Sequence, residues 1–170
     1  MSTEIPKDTS VKPPVAKSST GKIDFMSRRR ARALVVQGLY QYQLTQAAAD
    51  DIRLYLMDSP NYARCDETYF DALWRGVSSR YESLRDCFAP YVAAERTTQA
   101  LSPVETAILV LAAWELSERL DISYRIILNE AIDLAKAYGG TDGHKFVNGV
   151  LDKLAAQLRA DEIRTLGKKK

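Results

Sequence analysis

The 170-residue sequence is poor in the residues from which most catalytic and metal sites are built. It has one histidine, His144, so no histidine cluster exists to hold a metal or relay protons. Its two cysteines, Cys65 and Cys87, are too few for a disulfide framework and lack metal-ligand spacing. They read as free thiols of a reducing compartment. Glycines number eight, and Gly139-Gly140 with Gly143 lack the lysine and the strand that a phosphate-cradling loop requires. No apolar run reaches the length of a membrane span, and the N-terminus lacks a secretory apolar region. A cytoplasmic protein with no membrane partner is therefore expected. The net charge of only +2 excludes a histone-like polycation. Acids are plentiful but scattered, and no catalytic constellation emerges. The expectation is no enzyme, no cofactor and no metal.

What the sequence does have is helical periodicity. Hydrophobic content of 46% and charged content of 27% are those of an ordinary globular domain. Residues 1–24, rich in Pro, Ser, Thr and Lys, have little to bury and read as a disordered leader. Ala31, Leu34, Val35, Leu39 and Tyr42 then fall at helical spacing. A shorter helix from Ala47–Asp51 runs through Ile52, Tyr55 and Leu56 to the turn Ser59-Pro60-Asn61. Asp66 caps a long helix carrying Phe70, Leu73, Trp74, Val77, Tyr81, Leu84 and Phe88, which Pro90 should break. Tyr91 and Val92 begin a further short helical piece, and Thr97 to Ala100 reads as a connector. Leu101-Ser102-Pro103-Val104-Glu105 is a capping-box helix start. The body that follows, Ala107 to Trp114, is apolar on nearly every side and belongs in the middle of a bundle.

A helix with Ile127, Ala131, Leu134, Ala135 and Tyr138 on one stripe ends at Gly139-Gly140. The last one buries Val147, Val150, Leu151, Leu154 and Leu158. No segment alternates with period two. The predicted fold is all-α, a compact bundle of about seven helices in two subdomains, spanning about 25–95 and about 101–160, with a basic tail over 161–170.

One stretch runs against stability. Arg28, Arg29, Arg30 and Arg32 crowd the start of the first helix, with no acid between Asp24 and Asp50. Cations there oppose the helix macrodipole, which favours acids by roughly 0.3–1 kcal/mol each. The run implies either an expected polyanion or a solvated basic helix start.

The motif Leu128-Asn129-Glu130-Ala131-Ile132-Asp133-Leu134-Ala135-Lys136, followed by His144-Lys145-Phe146-Val147-Asn148-Gly149-Val150-Leu151-Asp152-Lys153, resembles the NusB family signature. The capped start at Leu101–Glu105 and the arginine run with Gln37-Gly38-Leu39-Tyr40 resemble that family too. The likeness covers residues 27–158 in consistent order. It implies a non-enzymatic, all-helical antitermination factor. Such a factor pairs with NusE, the ribosomal small-subunit protein, binds single-stranded boxA RNA of ribosomal RNA leader transcripts, and works within the RNA polymerase antitermination complex. The free protein is expected to be a monomer or weak homodimer.

The resemblance assigns RNA binding to Arg28, Arg29, Arg30, Arg32, Tyr91, Asp142, Lys145 and Phe146. Arginines would neutralise phosphates, whereas base discrimination needs stacking faces and hydrogen-bonding groups. Phe146 sits one position off the core stripe, as a stacking face or a partly buried bundle aromatic. Lys145 would hold a phosphate. Asp142 would accept from a base edge or cap the last helix. Tyr40 and Glu105 match positions that face NusE; Tyr40 reads equally as a rim packing residue, and the capping box accounts for Glu105 by itself. Two other readings stand beside this one. The chain could be a helical protein-interaction adaptor, or a stand-alone relative of the RNA-binding domain of ribosomal RNA cytosine methyltransferases.

Overall fold

A computed structural model describes residues 24–96 and 101–169, and every regular element in them is helical. The order is α1 (Phe25–Thr45), α2 (Ala49–Met57), α3 (Glu67–Ser79), α4 (Tyr81–Glu95), α5 (Pro103–Glu118), α6 (Tyr124–Tyr138), α7 (Gly143–Leu158) and α8 (Ala160–Gly167). A 3-10 turn over Tyr62–Arg64 joins α2 to α3. Most of the leader and the whole Thr97–Ala100 connector lie outside the described residues.

The helix starts are set by side chains that satisfy orphan N–H groups. The Asp24 carboxylate accepts from Met26 N at 3.0 Å, and Asp66 accepts from Tyr69 N at 3.0 Å. Ser102 Oγ accepts from Glu105 N at 3.2 Å while Glu105 Oε2 accepts from Ser102 N at 3.0 Å, completing the capping box. The helix so started, α5, is buried without interruption from Glu105 to Leu116. It is the central rod of the molecule: α1, α3, α4, α6 and α7 all pack on it. Each Leu or Ile it buries fully contributes about 1.5–3 kcal/mol. Two glycines allow the close approach. A Cβ on Gly38 would lie 2.6 Å from the Trp74 ring, and one on Gly76 would lie 2.1 Å from the Trp114 ring.

Two sequence-based expectations are corrected. The long helix from Asp66 is two helices, α3 and α4, broken at Arg80 rather than at Pro90. Ser78 and Ser79 donate back to the Trp74 and Arg75 carbonyls at 2.7 Å, competing with the backbone ladder where the helix ends. Pro90 sits inside α4. It and Asp86, whose carbonyl loses its helical partner, are both exposed, so water replaces the missing bond. Beyond α7 the chain continues as α8, which ends at Gly167 ahead of Lys168 and is held by its buried N-terminal neighbour. The Arg159 guanidinium donates to the carbonyls of Leu116 (2.6 Å), Arg119 (2.8 Å) and Ile122 (3.1 Å), closing the end of α5. Glu162 in turn accepts from Tyr124 N, at the start of α6, at 3.0 Å.

Candidate nucleic-acid interface

The first turns of α1 carry the arginine run, and carboxylates distant in sequence answer most of it. Arg28 Nε stands 3.6 Å from Asp66 Oδ2, with its guanidinium 4.6 Å from the Tyr69 ring centroid. Arg29 is half-exposed and held by two acids of α6: its Nε donates to Glu130 at 3.1 Å, and Nη2 donates to Asp133. These bonds hold the Arg29 pKa above its ordinary value, the Glu130 hydrogen bond first among the causes. Arg30 donates only to the Arg64 carbonyl, at 3.4 Å, and has no carboxylate partner among the described residues.

Arg32 departs from the expected phosphate-binding role. It is 4% exposed and donates from Nε and Nη2 to Glu115, itself 1% exposed, at 3.0 Å. Tyr69 accepts from Arg32 Nη2 at 2.8 Å and donates to the same Glu115 carboxylate. Burial alone would lower the Arg32 pKa, but the Glu115 charge and hydrogen bonds outweigh it and raise it. Burial, and then Glu115, push the Tyr69 phenol up, so it remains a donor. Arg32 therefore ties α1 to α5 inside the bundle. Its guanidinium does not face solvent.

A second cluster lies at the other end of α5, ten residues or about 15 Å along the helix from Glu115 to Glu105. Asp142 and Lys145, at the start of α7, are exposed and 3.3 Å apart. Asp142 makes no side-chain capping bond, which removes the helix-cap reading. Phe146 is only 7% exposed: it belongs to the buried core, and the Arg96 guanidinium lies 4.0 Å from its ring centroid. Arg96 in turn donates to both oxygens of Glu105, at 2.8 and 2.9 Å. Burial pushes the Glu105 carboxyl up, but the Arg96 and Ser102 hydrogen bonds prevail and hold it below the ordinary carboxylate value. Glu105 is thus a buried, doubly engaged acid rather than a surface contact. Tyr91 is half-buried, its hydroxyl donating to Gln157 at 2.6 Å. Arg96 was missed by the sequence reading. The available signal was the rule that a buried acid needs a cation, applied to Glu105 on an otherwise apolar helix.

Tyr40 is 40% exposed, as its position off the core stripe implied. It lines a groove of about 560 Å³ between α1 and α6, whose apolar wall includes Ala33, Leu34, Val104, Leu134 and Ala137. Arg29 and Arg30 stand in the same groove's wall. No helix among the described residues is long and apolar enough to cross a membrane, and none of their acids, cysteines or His144 group to hold a metal.

Fold and site together define an all-helical binding protein: a bundle around one apolar rod, with a cationic helix start beside an apolar groove. The NusB family model matches residues 29–156. NusB of Paraburkholderia phymatum is 46% identical over 143 residues, covering 84% of this chain and 97% of that protein. NusB of Aromatoleum aromaticum is 48% identical over 137 residues, 81% of this chain and 93% of its own length. Both are described as transcription antitermination proteins. Among solved structures, T. maritima NusB superposes with a TM-score of 0.65 at 30% identity, covering 75% of this chain and 89% of that one. A structure of antitermination factors NusB and NusE in complex with dsRNA matches with a TM-score of 0.62 at 22% identity, covering 77% of this chain and 97% of that one. The chain belongs to the NusB family of transcription antitermination proteins. It is a transcription factor, not an enzyme.

Proposed function

We propose that this chain binds boxA-type single-stranded RNA in ribosomal RNA leader transcripts together with NusE, and so keeps RNA polymerase elongating past terminators. It acts in the cytoplasm, where transcription takes place. The observation that carries the reading is the arginine-led start of α1, beside an open apolar groove, in a NusB-family chain. The described NusB–NusE–dsRNA complex supports both classes of partner.

Arg30, with no acid to displace among the described residues, is the first phosphate ligand, and Arg29 joins by exchanging Glu130 and Asp133 for phosphate oxygens. Arg28 and Lys145, each facing a single acid, add to the same sequence-independent attraction. Asp142 and Tyr91 border the base-reading end. NusE docks on the groove through Tyr40, whose exposed ring gives apolar area and a hydrogen-bonding tip. With the groove uncovered, the free chain is a monomer or a weak homodimer.

The test is transcription in vitro on templates with an intact or scrambled boxA ahead of a terminator, with NusE present. The chain should raise read-through only on the intact template, and competitor single-stranded boxA should abolish the effect where a duplex does not. Equal read-through on both templates would reject the reading. Retained NusE binding without any RNA effect would then favour the adaptor.

A further inference from the structure

The Arg96–Phe146–Glu105 array has a geometry that its parts do not individually explain. Phe146 belongs to the buried core, 7% exposed, and a guanidinium lies 4.0 Å from its ring centroid. The guanidinium is fixed by two nearly equal hydrogen bonds to Glu105, 2.8 and 2.9 Å long. Glu105 is fixed by the capping box that starts α5, and a Cβ on Gly143 would meet its Oε1 at 3.3 Å, so α7 closes over it. The Arg96 head group is thus held by two hydrogen bonds and a ring, and its side chain still keeps 19% of its surface in solvent. An arginine serving only to neutralise Glu105 needs no aromatic backing. One serving only as a phosphate ligand would not have its fork committed to a carboxylate.

We propose that Arg96, rather than Phe146, presents the stacking face for an RNA base, with Phe146 as its backing plate and Glu105 as the positioning residue that holds the guanidinium flat. This rests on the RNA-binding function proposed above and names the specificity-determining residue of that site. A planar guanidinium stacks on nucleobases as aromatic rings do, and its delocalised charge strengthens the contact with each base's π-face. Because the fork is ordered before RNA arrives, little side-chain freedom remains to be lost on binding. The arrangement also accounts for the burial of both Phe146 and Glu105 at a surface where each was expected to touch a partner directly. Lys145, directly before Phe146, and Asp142, one turn earlier, are exposed at the start of α7 and flank the base so held.

The experiment is a cycle between protein variants and an abasic scan of the boxA RNA, read by equilibrium binding of the full chain with NusE present. Wild-type protein should lose roughly 5- to 150-fold in affinity when one particular base is removed, the worth of one base–side-chain stack. Arg96→Lys keeps the charge and the ion pair to Glu105 but removes the plane. It should erase that abasic penalty while leaving the dependence on salt unchanged. Phe146→Leu keeps the buried apolar volume and should reduce the penalty without abolishing it. Thermal unfolding of each variant separates stacking from folding, and 2-aminopurine at the scanned position reports stacking directly through quenching. If Arg96→Lys keeps the full abasic penalty and Phe146→Leu removes it, the base stacks on Phe146 and the assignment is overturned. If wild-type protein shows no preference for boxA over scrambled RNA, the RNA-binding reading itself fails, and this assignment with it.

Discussion

Arg32 is where a basic residue of the run turns inward, and replacing it separates stability from binding. Arg32 and Glu115 are 4% and 1% exposed, and Tyr69 completes their network. In Arg32→Met the Glu115 carboxylate stays buried with only the Tyr69 hydroxyl donating to it. Breaking a buried ion pair by removing one partner costs about 3–5 kcal/mol. At about 2–4 °C per kcal/mol for a chain of this size, the melting temperature should fall by about 6–20 °C. Replacing both partners, Arg32→Met with Glu115→Leu, removes the orphaned charge and should recover most of that loss. Urea and thermal unfolding give the stabilities, and RNA titration below the melting range gives the affinities. The folded fraction of Arg32→Met should bind RNA within about twofold of wild type, because its guanidinium does not face the phosphates. The reasoning is refuted if Arg32→Met unfolds within about 1 kcal/mol of wild type yet loses RNA affinity as Arg29→Ala does.

Three further outcomes follow from the same geometry. Asp133→Asn should tighten RNA binding by freeing Arg29 from one of its two acids, and the gain should vanish in the Arg29→Ala background; a gain that persists there would be a long-range charge effect. Gly76→Ala should cost about 1–3 kcal/mol in urea denaturation, since the new Cβ would sit 2.1 Å from the Trp114 ring, and an unchanged midpoint would show that α3 and α5 are not so closely packed. Arg119 holds the Asp121 carboxyl down to about 2, and Glu105 and Glu162 are also lowered, so these groups bind fewer protons folded than unfolded. The contribution of Asp121 is complete at neutral pH and is lost as pH falls from its ordinary value of 3.8 towards 2, and those of Glu105 and Glu162 fade as pH falls below the ordinary glutamate value of 4.5. Asp121→Asn should flatten the melting curve in that window, and an identical pH profile would count against the Arg119 contact.

Helix starts were the most legible part of the sequence, because a cap is a local device. Asp66, Ser102 and Glu105 each bond as the pattern of residue types implies. The central place of α5 was legible as well, since an all-round apolar helix has nowhere else to go. The break at Arg80 was not, because the apolar spacing of three and four runs on through Tyr81 and Leu84 and hides a change of axis. Charges were read least well. A run with no neighbouring acid looks unanswered in sequence, yet Asp66, Glu115 and Glu130 reach Arg28, Arg32 and Arg29 across the bundle. The fate of Phe146 had the same cause: periodicity locates a side chain on a helix face, but not the arginine just past the end of another helix that packs on it.

Joint reading of boxA RNA with NusE, with the start of α1 supplying phosphate contacts, is what sets the proposed role apart from that of a helical adaptor. A salt titration of binding to boxA and scrambled RNA, with and without NusE, for wild type and for Arg29→Ala/Arg30→Ala, tests it most directly. NusE should tighten binding to boxA selectively. The double variant should flatten the plot of log affinity against log salt by about 1.4, two phosphate contacts at roughly 0.7 each for a single strand. Equal weak binding to both RNAs, unmoved by NusE and unchanged by the arginine substitutions, would contradict the account.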